Sequence, residues 1–319
     1  MQAPAIPENE ASRLSALRSL NILDTPAEER FDRLTRMAKR MFRVPIALVS
    51  IIDENRQWFK SNESLPACET PRNISFCGHA ILGDDIFLIC DTLADPRFAD
   101  NPLVTGAPHI RFYAGCPLRS AGGFKIGTLC IIDAVPHEFD EDDAVALRDL
   151  ASMVEDELTA FQAATTDELT RISNRRGFMQ MAQYSLNFCA RQGAPATLAF
   201  LDLDGFKPIN DTFGHAEGDR ALVAFADAMR KTFRNTDLFA RLGGDEFVVL
   251  LTSAGEADAA MVIDKFADVI DRYNTEARRG YALAFSCGMV EFEPSAHRQI
   301  EALLADGDAR MYAIKAAKK

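Results

Sequence analysis

The stretch Asp237 to Leu251, DLFARLGGDEFVVLL, limits the fold of this chain more than any other. Leu238–Leu242 and Phe247–Leu251 are short apolar runs of residues that suit strands. Gly243-Gly244 between them reads as a hairpin turn, because a tight turn needs positive φ and glycine has no Cβ to clash there. Two carboxylates, Asp245 and Glu246, follow at once. Such a tip, with bare backbone and two acids, can approach a flat or phosphorylated ligand and hold a cation beside it. Taken alone, these four residues favour the plainer reading of an acidic surface turn.

Thr197–Leu201 is an apolar run that ends in Asp202-Leu203-Asp204. Asp202 is either a strand-end cap or, with Asp245, part of a hard-oxygen site suited to Mg²⁺, which takes one or two carboxylates together with substrate phosphates. The segment that follows, Gly205 to Asp219 (GFKPINDTFGHAEGD), is too dense in Gly, Asn, Asp and His for a plain connector.

Five strings then occur in a fixed order: Asp167–Arg176 (DELTRISNRR), Phe206–Asp219, Arg234–Asp237 (RNTD), Arg241–Phe247 and Ala305–Lys315 (ADGDARMYAIK). Together they resemble the GGDEF family of diguanylate cyclase domains, over about half the chain. The turn-forming Gly and Pro that the family often carries ahead of Asn174-Arg175-Arg176 are replaced here by Arg171 and Ser173. Lys319 is the candidate stand-in for a second phosphate-binding cation.

The 319 residues suffice for two domains, and 48% apolar residues support sizeable cores. A net charge of −12 argues against a nucleic-acid surface, which needs clustered Lys and Arg. A triphosphate would meet a repulsive overall field, so bound cations and local lysines must supply the attraction. The sequence shows no membrane-spanning run and no leader, and a cytoplasmic location is expected. Seven cysteines without metal-type or framework spacing read as reduced thiols. Cys77 and Cys116 read as core residues, with a thiol sensor as the alternative.

Residues 1–24 form an N-terminal segment with an amphipathic helix over Asn9–Leu23, expected to cover an open sheet edge. A second helix over Phe31–Met41 and strands over Ile46–Ile52, Gln57–Ser61, Phe87–Ile89 and Phe124–Ile132 follow. Val44–Asp53 (VPIALVSIID), Ser75–Ile81 (SFCGHAI), Phe112–Leu118 and Gly127–Asp133 (GTLCIID) resemble a GAF domain over residues 25–160. That resemblance implies an antiparallel sheet with packed helices and an unknown small-molecule signal. Trp58, His79, Phe112 and Tyr113 are either pocket-lining or core aromatics. From about 140 to 166 a linker helix carries Leu147, Ala151, Val154, Leu158 and Phe161 at a 3.5-residue period. This is read as a dimerising seam, with packing on the helix's own domain as the alternative. Residues 167–319 alternate helices and strands around a hairpin, an α+β palm-like unit with a mixed sheet. The whole is therefore α+β with two domains joined by a helical linker.

The GGDEF resemblance implies condensation of two GTP into cyclic di-GMP by a homodimer, with GTP as substrate and cyclic di-GMP as product and inhibitor. It implies Asp202, the Leu203 carbonyl and Asp245 as metal ligands for Mg²⁺, with Mn²⁺ as an alternative. Asp245 is the expected proton acceptor and Glu246 supports a second cation. Asn210 and Asp219 would read guanine, His215 would contact substrate, and Phe206, Lys207 and Lys315 would meet phosphates. Arg234 and Asp237 match the family's product-inhibition site, or else make a surface ion pair. An inactive cyclic di-GMP receptor and a GAF-driven scaffold are the competing functions.

Overall fold

The computed structural model describes all residues except Glu63, Asn235 and Lys319, and the chain divides into compact units Met1–Gln162 and Ala163–Lys319. The first unit runs α1 (Glu10–Ser19), α2 (Glu29–Phe42), β1 (Ile46–Ile52), β2 (Arg56–Asn62), β3 (Glu69–Pro71), α3 (Phe76–Ala80), β4 (Phe87–Ile89), α4 (Pro102–Thr105), β5 (Phe112–Arg119), β6 (Lys125–Asp133) and α5 (Glu141–Thr165). Its strands form one antiparallel sheet in the order β3-β2-β1-β6-β5-β4.

Every residue of β1 is buried, so its apolar run lacks the alternation of a half-exposed strand. Ala47, Val49 and Ile51 face a core built with Leu14, Leu17, Phe31, Leu34, Leu147 and Val154. Ile46, Leu48 and Ile52 face a second core with Phe76, Phe98 and Tyr113 on the other side. The N-terminal helix is shorter than expected and lies against the central strand β6, covering a sheet face and not an edge. The four aromatics do not share a pocket: Trp58 and Phe112 belong to the first core, whereas Tyr113 belongs to the second.

The seam on α5 is also corrected. Leu147, Ala151, Val154, Leu158 and Phe161 are all buried in the first unit's own core, so that stripe packs inward on its sheet. A short apolar repeat tells which face of a helix is covered, not what covers it.

Glu10 anchors α1. Its carboxylate accepts from Arg13 Nε at 2.8 Å and Arg72 Nη1 at 2.5 Å, while Arg13 Nη1 donates to the Ile52 carbonyl at 2.6 Å. Burial pushes Glu10 up, but the two guanidinium groups outweigh it and hold the carboxyl at about 2. Because this folded value is depressed, the stabilisation is complete above the ordinary value of 4.5 and is lost as pH falls towards 2. Glu10→Gln should therefore lower the melting temperature at neutral pH, and the gap to the wild type should close as pH approaches 2. A gap that stays constant through the acid range would remove Glu10 as the anchor.

The second unit runs β7 (Ser173–Asn174), α6 (Arg175–Gln192), β8 (Ala196–Leu203), α7 (Phe206–Phe213), α8 (His215–Thr232), β9 (Leu238–Gly243), β10 (Glu246–Thr252), α9 (Glu256–Ala277), β11 (Phe285–Glu291) and α10 (Ile300–Ala317). The sheet order is β11-β8-β10-β9-β7, antiparallel except for the β7–β9 pair. β8 is buried on both faces. Ala199, Leu201 and Leu203 meet α8 and α9, while Ala196, Leu198 and Phe200 meet α6 and α10. Among the described residues no helix is long and apolar enough to cross a membrane.

Candidate functional site

The two-residue period of β8 and β10 puts Asp202 and Glu246 on the α6/α10 face, in line with Phe200 and Val248. Register makes them direct cross-strand partners. Two carboxylates directly opposite each other on one face repel, and are a destabilising choice for a sheet that had only to fold.

Asp245 stands beside them. Gly243 pairs with Glu246, so the turn residues are Gly244 and Asp245, one position later than the glycine pair alone suggested. Gly244 has φ +49°, which favours glycine. Leu203 N–H donates to the Asp245 backbone carbonyl at 3.1 Å, tying the hairpin tip to the end of β8. Arg241 Nε donates to the Gly244 carbonyl at 2.9 Å, and its Nη1 contacts the Asp167 carboxylate at 3.2 Å. The DELT string and the hairpin are thus one braced structure.

Asp202 is 8% exposed, and its Oδ1 accepts from Lys315 Nζ on α10. Burial pushes Asp202 up; the Lys315 ammonium pulls it back, and Asp245 raises it again. Glu246 is pushed up by burial and then by the charges of Asp308 and Asp202. A site whose acids raise one another in this way gains most from a cation. Lys315 therefore meets one of the acids directly. Lys318, which drew no attention in the sequence, extends this arrangement: its Nζ donates to Asp204 Oδ2 at 2.9 Å and Ser286 Oγ at 3.1 Å. Ser286 in turn donates to Asp204 Oδ1 at 2.7 Å. Asp308, about two turns before Lys315 on α10, and Ser286, the β11 neighbour of Asp202, were visible only through register and helical phase. Lys319 lies outside the described residues.

The segment Phe206–Asp219 forms α7 and the start of α8, where the density of turn residues had hidden α7 and the first turn of α8, the sequence placing that second helix from Asp219 on. Gly205 (φ +71°) and Gly214 (φ +86°) open the two helices. A Cβ at Gly218 would sit 2.0 Å from Asn210 Oδ1, so this glycine lets the Asn210 amide lie against the start of α8, next to Asp219. Asp219, Lys207 and His215 are exposed, and Phe206 is partly buried against the α8/α9 core. Glu217 fixes the first turn of α8: it accepts from Arg220 at 2.7 Å, Arg279 at 2.6 Å and Tyr281 Oη at 3.0 Å. A groove of about 850 Å³ between α8 and α9 takes in Asp219, Lys231, Lys265 and Arg272, but none of Asp202, Asp245 and Glu246.

Arg234 and Asp237 do not form a side-chain ion pair. Asp237 is buried and Oδ2 accepts from the Arg234 backbone N–H at 2.9 Å, leaving the Arg234 guanidinium exposed. Burial pushes the Asp237 carboxyl up, against that hydrogen bond. Asn235 between them lies outside the described residues.

Comparison with known proteins gives two domain matches. A family model described as diguanylate cyclase, GGDEF domain, matches residues 164–319, and a GAF domain model matches residues 26–158. A cyclic di-GMP phosphodiesterase of Pseudomonas aeruginosa is 35% identical over 255 residues, covering 79% of this chain and 43% of that protein. The diguanylate cyclase DosC of Escherichia coli is 32% identical over 151 residues, covering 47% of this chain and 32% of that protein. The chain therefore spans less than half the length of either relative. A solved GGDEF domain from Pseudomonas aeruginosa is 35% identical, covering 48% of this chain and 89% of that one, with a TM-score of 0.43.

Proposed function

We propose, from the premise that the chain belongs to the GGDEF family and carries a GAF domain ahead of its GGDEF domain, that it is a diguanylate cyclase. It joins two GTP into cyclic di-GMP and releases two pyrophosphates. The observation that carries this reading is the direct cross-strand pairing of Asp202 with Glu246, with Asp245 in the adjoining turn. Nothing in folding requires three acids there, whereas phosphoryl chemistry does.

The donor set fits a hard divalent cation, Mg²⁺ or Mn²⁺: two carboxylates, Asp202 and Asp245, and the Leu203 carbonyl, all oxygen. Bound there, such an ion neutralises phosphate charge and lowers the pKa of a coordinated hydroxyl. Among the described residues no three His, Cys, Asp or Glu side chains converge on a single metal position. Lys315 shields Asp202 and brings positive charge to the place where phosphates bind. The Gly205-Phe206 backbone and Lys207 hold the remaining phosphate oxygens. Asn210 and Asp219 read the guanine edge, and His215 contacts the nucleotide.

In the reaction the 3′-hydroxyl of one GTP attacks the α-phosphorus of the other, and pyrophosphate leaves. Asp245 orients that hydroxyl and accepts its proton, and Glu246 supports a second cation. Each GGDEF domain offers one guanine pocket while the product holds two guanosines. Two protomers must therefore meet, and specific activity should rise with protein concentration.

Product feedback acts through Arg234. Its exposed guanidinium is free to grip guanine O6 and N7 or a phosphate through two donors. Asp237, already committed to the turn, positions the backbone that presents it. Arg234→Ala should weaken cyclic di-GMP binding by tenfold or more, taking about 1.5–3 kcal/mol for a hydrogen bond to a charged group. It should also raise steady-state turnover and leave GTP affinity unchanged. Calorimetry with cyclic di-GMP decides this, and equal affinity in wild type and variant would leave Arg234 a surface residue.

A further inference from the structure

The proposed activity makes no use of a pair of buried thiols in the first unit. Cys77 on α3 and Cys130 on β6 are 1% and 0% exposed, and their Sγ atoms are 3.7 Å apart. Each of the other five cysteines lies outside this contact, and two of them, Cys68 and Cys90, are exposed.

The surroundings of Cys77 are built from donors. Tyr113 Oη donates to its Sγ at 3.2 Å and Gln57 Nε2 at 3.3 Å. The amide of Gln57 is held in that orientation because Ser75 Oγ donates to its Oε1, while Ser75 Oγ accepts from Gly78 N–H at 2.8 Å. The Tyr113 hydroxyl reaches inward past Gly115, where a Cβ would lie 2.2 Å from it. Ser50 and Thr128, each 0% exposed, carry hydroxyls with no hydrogen-bond partner among the described residues, and both act on the same thiol. Buried hydroxyls are normally paired. Two orphans beside one sulfur mark a place where a negative charge is provided for.

The two thiols are not equivalent. Burial raises Cys77, but the neighbouring Cys130, Thr128, Tyr113 and Ser50 groups outweigh it and leave the thiol at about 7. Cys130 is raised, first by its contact with Cys77 and then by burial, and so keeps its proton. Burial pushes Cys116 up to about 11 and Cys287 up to about 12. A cavity of about 40 Å³ opens onto Cys77 and is lined also by Gln57, Thr70 and Tyr113. One water needs only about 10–15 Å³ of such space, so a molecule a little larger than water fits. A metabolite-sized ligand, whose pockets run to about 300 Å³ or more, does not.

We propose that Cys77 and Cys130 form a peroxide-reactive dithiol site inside the GAF sheet, with Cys77 the attacking and Cys130 the resolving cysteine. The Cys77 thiolate attacks one oxygen of hydrogen peroxide; the O–O bond breaks, hydroxide leaves and takes up a proton, and Cys77 becomes a sulfenic acid. The Cys130 sulfur then attacks that sulfur, the S–O bond breaks, and the departing hydroxide takes the Cys130 proton as water. In sum two thiols and one hydrogen peroxide give one disulfide and two waters, the thiols losing two electrons that the peroxide gains. A disulfide of about 2.05 Å asks the sulfurs to close by roughly 1.7 Å from their present contact.

The test is to treat the full chain with dilute hydrogen peroxide, alkylate with N-ethylmaleimide, denature, alkylate again with a second mass label and map peptides without reduction. The expected result is a Cys77–Cys130 linked peptide, two hydrogens lighter than the sum of its parts, with Cys116 and Cys287 recovered as thiols. In Cys130→Ser treated with peroxide and then denatured in dimedone, the reagent should trap a sulfenic acid on Cys77, and in Cys77→Ala treated in the same way neither dimedone adduct nor link should form at Cys130. Recovery of both Cys77 and Cys130 with the second label, while the exposed Cys68 or Cys90 is oxidised, would overturn the proposal. So would a dimedone adduct on Cys130 in the Cys77→Ala protein.

Discussion

Asp245→Ala should reduce cyclic di-GMP formation by roughly two to three orders of magnitude, the size of effect that follows loss of one charge-stabilising group at a reacting centre. The substitution removes one of the two carboxylates proposed to hold the ion and also the proposed proton acceptor. It leaves the fold alone, because the turn is held by the Asp245 backbone carbonyl, which accepts from Leu203 N–H, and by Arg241 on Gly244. The melting temperature should be unchanged, since a half-buried turn acid adds little to the core. Turnover within a few fold of wild type would remove Asp245 from the chemistry.

The second large effect is on stability. Leu147 is 0% exposed and packs in the first unit's core together with Val49, Leu129 and Val154. Leu147→Ala should cost about 2–5 kcal/mol, the transfer loss plus the cavity left behind. That is a large share of the about 5–15 kcal/mol that keeps a domain folded. For a unit of this size each kcal/mol lowers the melting temperature by about 2–4 °C. Met153, on the same helix but 44% exposed, is the control, and Met153→Ala should change the melting temperature little. If Leu147→Ala left the transition in place but weakened self-association, the stripe would belong to an interface between protomers and not to this core.

That contrast shows what the sequence makes legible. The apolar stripe on α5 announces a covered face, but a repeat of about two heptads does not separate a 3.5 period from a 3.6 period. The partner surface is contributed by strands far away in sequence. The hairpin was legible because both strands and the turn are local. The shift of its turn by one residue was not, since it depends on the pairing of Gly243 with Glu246. The α+β organisation followed from runs that are each buried on their own, such as β1 and β8. β5 was hidden by Gly115 and Pro117, which break a strand pattern but fit here within the antiparallel sheet. α7 was hidden for the same reason, by Gly205, Pro208, Asn210 and Asp211.

At the site, the acids stand out in sequence because each ends or begins an apolar run. Their partners do not. Lys318 on Asp204, Ser286 beside Asp202 and Asp308 near Glu246 are brought in by sheet register and by the phase of α10. The inward turn of Asp237 towards the Arg234 backbone was equally invisible, because an i, i+3 spacing of Arg and Asp suits an ion pair as well as a turn.

The account rests on the cross-strand acids being a cation site for nucleotide chemistry. The direct measurement is to incubate the purified full chain with GTP and Mg²⁺, separate the nucleotides and quantify pyrophosphate, in parallel with the Asp245→Ala protein and with an excess of chelator. The account predicts cyclic di-GMP with two pyrophosphates per product in the first sample and essentially none in the other two. Intact GTP after prolonged incubation of folded wild-type protein at high concentration, or product formation that survives both the chelator and the substitution, would contradict it.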